Sequence, residues 1–428
     1  MLTIIKADGS AELRQLDAMR ARAAQTGEEI NRAAAAIMDD VRCRGFEAVR
    51  EYSLKFDKNE PRELGAEELE AAAKRVSPEL LNALQKSADH IRAYQSRLRN
   101  EIQFGEVSWD SPVGGKVGRI VRPLRRVGVY VPGGRAAYPS SVLMNVLPAK
   151  VAGVDEVVMV TPPTEYLNDA VLAAAWVAGV DRVIAVGGAQ AVAALTYGAG
   201  FIPKIDKLVG PGSAYVAAAK RLAYGILDID MVAGPSEVLV IADGGADPAY
   251  VAADLLSQAE HDPLASAVLL TTSQELAEAV DREIVRQTGY LSRNEIIQAS
   301  LKDYGCAIVC RTMEECARLA DEIAPEHLEI VTEDPRAVLP MLHNAGAIFL
   351  GANTPEPLGD YMAGPDHVLP TSGTARFFSP LSVDAFIKKT SVLEFGRDDL
   401  AKVKDEIIAL ARSEELTAHA NSIQVRFE

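Results

Sequence analysis

Six residues of this chain have side chains suited to holding a metal ion or moving protons: Gln258, His261, Glu326, His327, Asp360 and His419. Gln258 and His261 lie in Ser257-Gln258-Ala259-Glu260-His261, closing a helical pattern that begins near Pro248 and is stopped by Asp262-Pro263. That spacing puts both on one helix face, where a neutral imidazole and an oxygen donor suit a zinc-type ion. The other reading is a surface histidine near a helix end. Glu326 and His327 are neighbours at the start of an apolar run, after Ala324-Pro325. Neighbouring side chains diverge along a strand, so the pair can act together only at an element's end. Both are common general bases near neutral pH, and the alternative is a polar strand end. Asp360 follows Gly359 in a Pro- and Gly-dense segment from Thr354 to Thr374, as a hard oxygen ligand or as a turn former. His367 in the same segment could support a ligand. His419 lies on a predicted C-terminal helix, where a lone histidine is commonly solvated. His90 and His343 read as structural or surface residues.

These residues need elements to carry them. Val151-Ala152-Gly153-Val154-Asp155 and Val177-Ala178-Gly179-Val180-Asp181 each lead into a β-branched run, with the helical stretch Asn168 to Ala178 between them. A strand, a helix and a second strand make a βαβ unit, which requires a parallel sheet. Runs at Val127 to Val131, Lys207 to Val209 and Val238 to Ile241 extend the series. Ala267 to Thr271, Ala307 to Val309, Leu328 to Val331 and Ala347 to Leu350 suggest a second α/β unit. Residues 1 to about 100 read as helices, and Arg397 to Asn421 as a helix-rich tail. Turns at Tyr130-Val131-Pro132-Gly133-Gly134, Val186-Gly187-Gly188-Ala189-Gln190 and Gly210-Pro211-Gly212-Ser213 allow a ligand close to backbone amides. None is Gly-x-Gly-x-x-Gly, so the usual dinucleotide fingerprint is absent.

With 428 residues, about two or three domains are expected. A net charge of −16 and the lack of a long basic stripe argue against nucleic-acid binding. No run reaches the length of a membrane span, and the start lacks a secretory pattern, so a cytoplasmic protein is expected. Cys43, Cys306, Cys310 and Cys316 match no zinc or redox spacing, and Cys310 reads as a reduced packing residue.

Together the motifs resemble the histidinol dehydrogenase family over nearly the whole chain. The resemblance is carried by Tyr130 to Gly134, Pro139-Ser140-Ser141-Val142-Leu143-Met144, Val186 to Ala191, Gly210-Pro211-Gly212 and Ala233-Gly234-Pro235-Ser236-Glu237. Ser257 to His261, Pro325 to Leu328, Gly359-Asp360-Tyr361 and His367-Val368-Leu369-Pro370-Thr371 complete it. It implies a zinc enzyme, with one ion per subunit, that oxidises L-histidinol to L-histidine in two NAD-linked steps through bound histidinal. The ligands would be Gln258, His261, Asp360 and His419, completed by the substrate's imidazole and amine. His327 would be the base for the first hydride transfer, and Glu326 would activate water on the aldehyde. Ser236 and Glu414 match further substrate contacts, and Tyr130 and Gln190 match NAD contacts. Ser213 falls at an NAD-contacting position where the family often has Asn, a departure that shortens that side chain. The resemblance also implies a homodimer whose C-terminal segment brings Glu414 and His419 into the neighbouring site.

The expected fold class is α/β: two Rossmann-like parallel-sheet domains lacking the usual dinucleotide fingerprint, a helical N-terminal region and a helical C-terminal tail. The expected division is an arm at 1–25, a first α/β domain at 26–126 plus 237–380 with the metal and catalytic residues, a second at 127–236 on the NAD side, and a dimerisation tail at 381–428.

Overall fold

The computed structural model describes every residue except 25–26, 134–137 and 164–166; Gly134 of the first glycine turn thus lies outside the described residues. Two six-stranded sheets dominate. The first runs, across the sheet, Thr3–Lys6, Gly305–Val309, Ser266–Thr271, Glu237–Ala242, His327–Val331 and Ala347–Leu350, all parallel. The second runs Arg62–Leu64, Arg182–Ala185, Glu156–Thr161, Arg126–Tyr130, Lys207–Val209 and Asp228–Ile229. It is parallel apart from Arg62–Leu64, which adds an antiparallel edge. Helices cover both faces of each sheet, so central strands such as Val127 to Tyr130 and Leu328 to Val331 are buried throughout and, Glu329 apart, carry no charged side chain. The α/β class and the paired parallel sheets agree with the sequence reading.

Apart from the edge strands Thr3–Lys6 and Arg62–Leu64, which come first in the chain, each sheet starts with a central strand, winds outward to one side and then returns to wind outward on the other. In such a sheet the two strands flanking the reversal leave a crevice at their ends. In the second sheet these are Arg126–Tyr130 and Lys207–Val209, so two of the glycine turns flank the crevice. In the first sheet they are Glu237–Ala242 and His327–Val331, and the chemically interesting side chains sit at their N-terminal ends.

The helices of residues 28–100 pack in a different place from the one expected. Ala34, Ile37, Met38, Val41, Ala48 and Val49 join the core on one face of the second sheet, and Leu69, Ala72, Leu84, Ala88 and Ile91 join the core on the other. Their partners are that sheet's own crossover helices, whose Ala-rich surfaces bury little by themselves and accept an outer layer. The helix Pro78–Asn100 also contacts Gly359–Ala363, so this layer borders the 237–380 segment as well. The N-terminal region is mainly helical, as expected, with a strand at its start. Thr3–Lys6 is the edge strand of the first sheet, with Leu16 and Met19 of the following helix in its core. A third, antiparallel sheet of Gly105–Asp110, Lys116–Pro123 and Ile387–Glu394 was not foreseen. It joins the start of the C-terminal tail to the middle of the chain.

Candidate active site

The helix Pro248–Ala259 begins with Asp247 accepting a hydrogen bond from Ala249 N–H and with Pro248 in the first turn, a strong N-terminal signal. Its far end carries Gln258. The His261 N–H donates to the Gln258 carbonyl at 3.1 Å, so the helical path continues and the two side chains stay one turn apart. Gln258 is buried, and its Oε1 has no partner. Burial lowers the His261 pKa, and nearby Arg293 and His367 lower it further, leaving a neutral nitrogen donor.

Ala324, at φ 52°, and Pro325 end the helix Met313–Ile323 and turn the chain into the strand His327–Val331. Glu326 and His327 thus stand at an element's end, where both can face one place. The neighbouring strand holds them through one residue. Glu237 N–H donates to Glu326 Oε2 at 2.9 Å, and the Glu237 carbonyl accepts from His327 Nδ1 at 2.9 Å. A carbonyl can only accept, so the proton is on Nδ1 and the lone pair is on Nε2. That Nε2 is buried without a hydrogen-bond partner, 3.9 Å from Asp360 Oδ1. Burial pulls the His327 pKa down to about 4, so the ring is neutral at pH 7. Burial pushes the Glu326 carboxyl well above its ordinary range, and the charges of Glu237, Asp360 and Glu356 add to that.

Asp360 lies in a π-type turn, Gly359–Ala363, that continues the short helix Glu356–Leu358. Such wide turns recur at functional sites because they re-aim a side chain. His90 Nδ1 hydrogen-bonds the Met362 carbonyl at 2.7 Å, bracing the turn from the helix Pro78–Asn100. Burial raises Asp360 to about 6 and Glu356 to about 9, Asp360 also raising the latter. His327, Glu356 and Asp360 offer ligand atoms within 4.8 Å of one another. Asp360 is the one residue shared by that group and the ligand set that the resemblance implied. Beyond the turn, Asp366 is buried, and its carboxyl is raised by burial and by the charges of Asp230 and Asp360. His367 is half-buried, with its Nε2 unpartnered and its pKa lowered by burial to about 4.

The proposed cofactor residues gather at the carboxyl ends of the second sheet. Tyr130 is buried, and its hydroxyl accepts from Gly188 N–H at 3.0 Å. Gln190 Nε2 donates to Asp57 Oδ2 at 3.3 Å, and Asp57 also accepts from the Gly187 backbone. Gly188, at φ 68°, leaves no room for a Cβ, which would meet Gln190 Oε1 at 2.5 Å. Ser213 is the exposed residue before the helix Ala214–Ala223 and makes no side-chain cap. The buried ion pair of Lys220 with Asp230 fixes the Gly210 turn, since Asp230 accepts from Gly210 N–H at 2.8 Å and Lys220 donates to the Gly210 carbonyl at 2.8 Å. From Asp230 the chain runs directly through Ser236, which is half-buried, to Glu237. The Gly210 turn and the Glu326–His327 pair are therefore linked through Asp230 and Glu237, which have six residues between them.

One chain does not assemble every residue named from the sequence. Glu326, His327 and Asp360 come together, His261 is near enough to His327 for their charges to interact, and Gln258 lies one turn before His261. Glu414, at the end of the helix Lys404–Ser413, and His419, in the helix Thr417–Gln424, are exposed, and those two helices pack mainly against each other. Sequence reasoning also overlooked Asp254, Glu329 and Glu356. A carboxylate four residues before Gln258, and another inside the apolar run Leu328 to Val331, were available signals. Glu237 acts here through its backbone, which no residue type announces.

Comparison with known proteins identifies the family. A sequence-family model described as histidinol dehydrogenase matches residues 20–427. A histidinol dehydrogenase of Heliobacterium mobile is 52% identical over 402 residues, covering 92% of this chain and 93% of that protein. One from Clostridium acetobutylicum is 49% identical over 426 residues, covering 98% of each. The crystal structure of a histidinol dehydrogenase from Elizabethkingia anophelis superposes with a TM-score of 0.91 at 34% identity, covering 100% of this chain and 98% of that one. The chain belongs to the histidinol dehydrogenase family, NAD-dependent oxidoreductases that act on a CH–OH group.

Proposed function

We propose that this chain oxidises L-histidinol to L-histidine through bound L-histidinal, as the last steps of histidine biosynthesis, with two NAD+ and one zinc ion per subunit. The observation that carries the reading is the pair Glu326 and His327, held by the backbone of one residue, with a neutral His327 whose lone pair is free on Nε2.

The side chains fit the metal. Gln258 has a buried, unpartnered Oε1, His261 is a neutral nitrogen donor, and Asp360 supplies a carboxylate, a donor set that zinc accepts. His419 of the partner subunit would complete it. When bound there, zinc would serve as a template for the substrate's imidazole and amine. Asp360, at about 6, is mainly ionised at pH 7 and favours a cationic amino alcohol over an anion.

His327 Nε2 takes the hydroxyl proton while the hydride leaves the carbinol carbon for NAD+, giving the aldehyde and NADH. Glu326 then takes a proton from the water that adds to the aldehyde, while the proton on His327 passes to the aldehyde oxygen, giving the hydrate. Burial raises the proton affinity of its carboxylate and so makes it a stronger base. Once Glu326 has released its proton to solvent, the hydrate's hydride passes to a second NAD+, its two hydroxyl protons go to His327 and Glu326, and the carboxylate product remains. A thiohemiacetal route lacks its nucleophile: Cys306, Cys310 and Cys316 are buried within the fold, Cys43 lies on the helix Glu28–Arg44, and none adjoins the pair. Tyr130, Gln190 and Ser213 would contact NAD, and Ser236 and the partner subunit's Glu414 the substrate.

Separate half-reactions test the roles. His327→Asn should slow oxidation of L-histidinol by roughly 10²- to 10⁴-fold. Glu326→Gln should retain a first NADH per site from histidinol in a single turnover, yet turn over supplied L-histidinal poorly. A Glu326→Gln enzyme that oxidises histidinal at the wild-type rate would sink the assignment of water activation.

A further inference from the structure

Three acids have no role in that scheme. Glu329 and Glu356 are buried at 1% and 2% exposure, Asp254 is half-buried, and among the described residues none of the three forms an ion pair with Lys or Arg. Burying a carboxyl without a hydrogen bond is costly, so its partners indicate what the group is for. Glu329 Oε1 accepts from Glu356 N–H at 2.7 Å, and its carboxyl also bonds that of Asp254. Glu356 bonds the Asp360 carboxyl, and its Oε2 lies 3.3 Å from Ser257 Oγ, whose one proton is shared with the Asp254 carbonyl at 2.8 Å. Carboxyl-to-carboxyl bonds of this kind require a proton between the partners.

The placement of these acids follows a rule. Asp254 is four residues before Gln258 on the same helix face, and His261 is a further turn along it. Glu329 is two residues after His327, on the same face of its strand. Glu356 is four residues before Asp360 on one helical path. Each of the three elements that delivers a site residue thus also delivers an acid one structural repeat away, and the three acids meet each other.

We infer that Glu329, bonded to Asp254 and Glu356, is a positioning residue that locks the helix of Gln258 and His261, the strand of His327 and the turn of Asp360 into one metal- and substrate-holding geometry. This rests on the zinc-site reading above. Loss of the lock lets the donor set spread, which weakens the hold on zinc without removing any ligand.

The test measures zinc affinity of the full-length protein, without substrate or NAD, by competition with a chromogenic chelator, alongside Tm and the separate kcat and KM for L-histidinol. Glu329→Leu should weaken zinc binding by roughly 10- to 100-fold, as loss of a residue that orients metal ligands does. It should also raise KM more than it lowers kcat. Glu329→Gln should restore near wild-type affinity, since its amide oxygen accepts from Glu356 N–H and its NH2 donates to Asp254. If Glu329→Leu does not fold, Asp254→Ala decides, with Asp254→Asn as its conservative rescue. Leu and Ala variants that lose Tm yet bind zinc as tightly as wild type overturn the inference alone. A wild-type protein that holds no zinc overturns the site reading and the inference with it.

Discussion

Single atoms carry much of this account, and Tyr130 shows how a residue can be tested for position rather than chemistry. Its hydroxyl is the acceptor for Gly188 N–H in the glycine turn, and burial pushes the phenol up to about 12, so it stays protonated. Tyr130→Phe would leave a donor without its acceptor, at a cost of about 1–3 kcal/mol. It should lower Tm and raise KM for NAD+ while zinc content stays the same. An unchanged KM for NAD+ would mark Tyr130 as structural only. At this scale the sequence was informative where side-chain type is telling: Glu326, His327 and Asp360, singled out there, stand together in the fold. It was silent where function depends on backbone, as at Glu237, or where a role arises only because three acids from distant segments meet.

Elements decide how those atoms are held, and their coupling gives a pH signature. Burial, with Asp254 nearby, holds the Glu329 carboxyl at about 9 in the fold, against 4.5 for an ordinary glutamate. Between those values the folded protein binds this proton and the unfolded chain does not, so stability falls as pH rises through that window. Thermal unfolding followed from about pH 5 to pH 9 should show Tm declining, and Glu329→Gln, with nothing to titrate, should flatten the decline. A variant profile parallel to wild type would contradict the burial argument. The sequence showed the parallel strands because they are contiguous apolar runs bounded by turn residues. It did not show Thr3–Lys6, whose partner strand begins at Gly305, nor the antiparallel sheet, whose exposed strands carry no core pattern and pair across the length of the chain. The destination of the helices in 28–100 was equally hidden, because an amphipathic face does not say which of two sheets it will cover.

The whole molecule leaves its C-terminal segment with little to pack on: Leu393, Leu410 and Val425 are 70%, 67% and 49% exposed. Apolar exposure on that scale, with Glu414 and His419 beside it, fits a segment that crosses to a second copy. His327→Asn and His419→Ala proteins should each be inactive, while mixed dimers of the two should recover activity, because one of their two sites is then intact. A mixture that stays inactive would place His419 in the site of its own chain. Among the described residues no helix is long and apolar enough to cross a membrane. The central claim, that one site carries an alcohol through its aldehyde to a carboxylate, is tested most directly by counting NADH formed per L-histidinol consumed in limiting-substrate reactions. The account predicts two, without free histidinal accumulating; a yield of one, or no turnover at all, would contradict it.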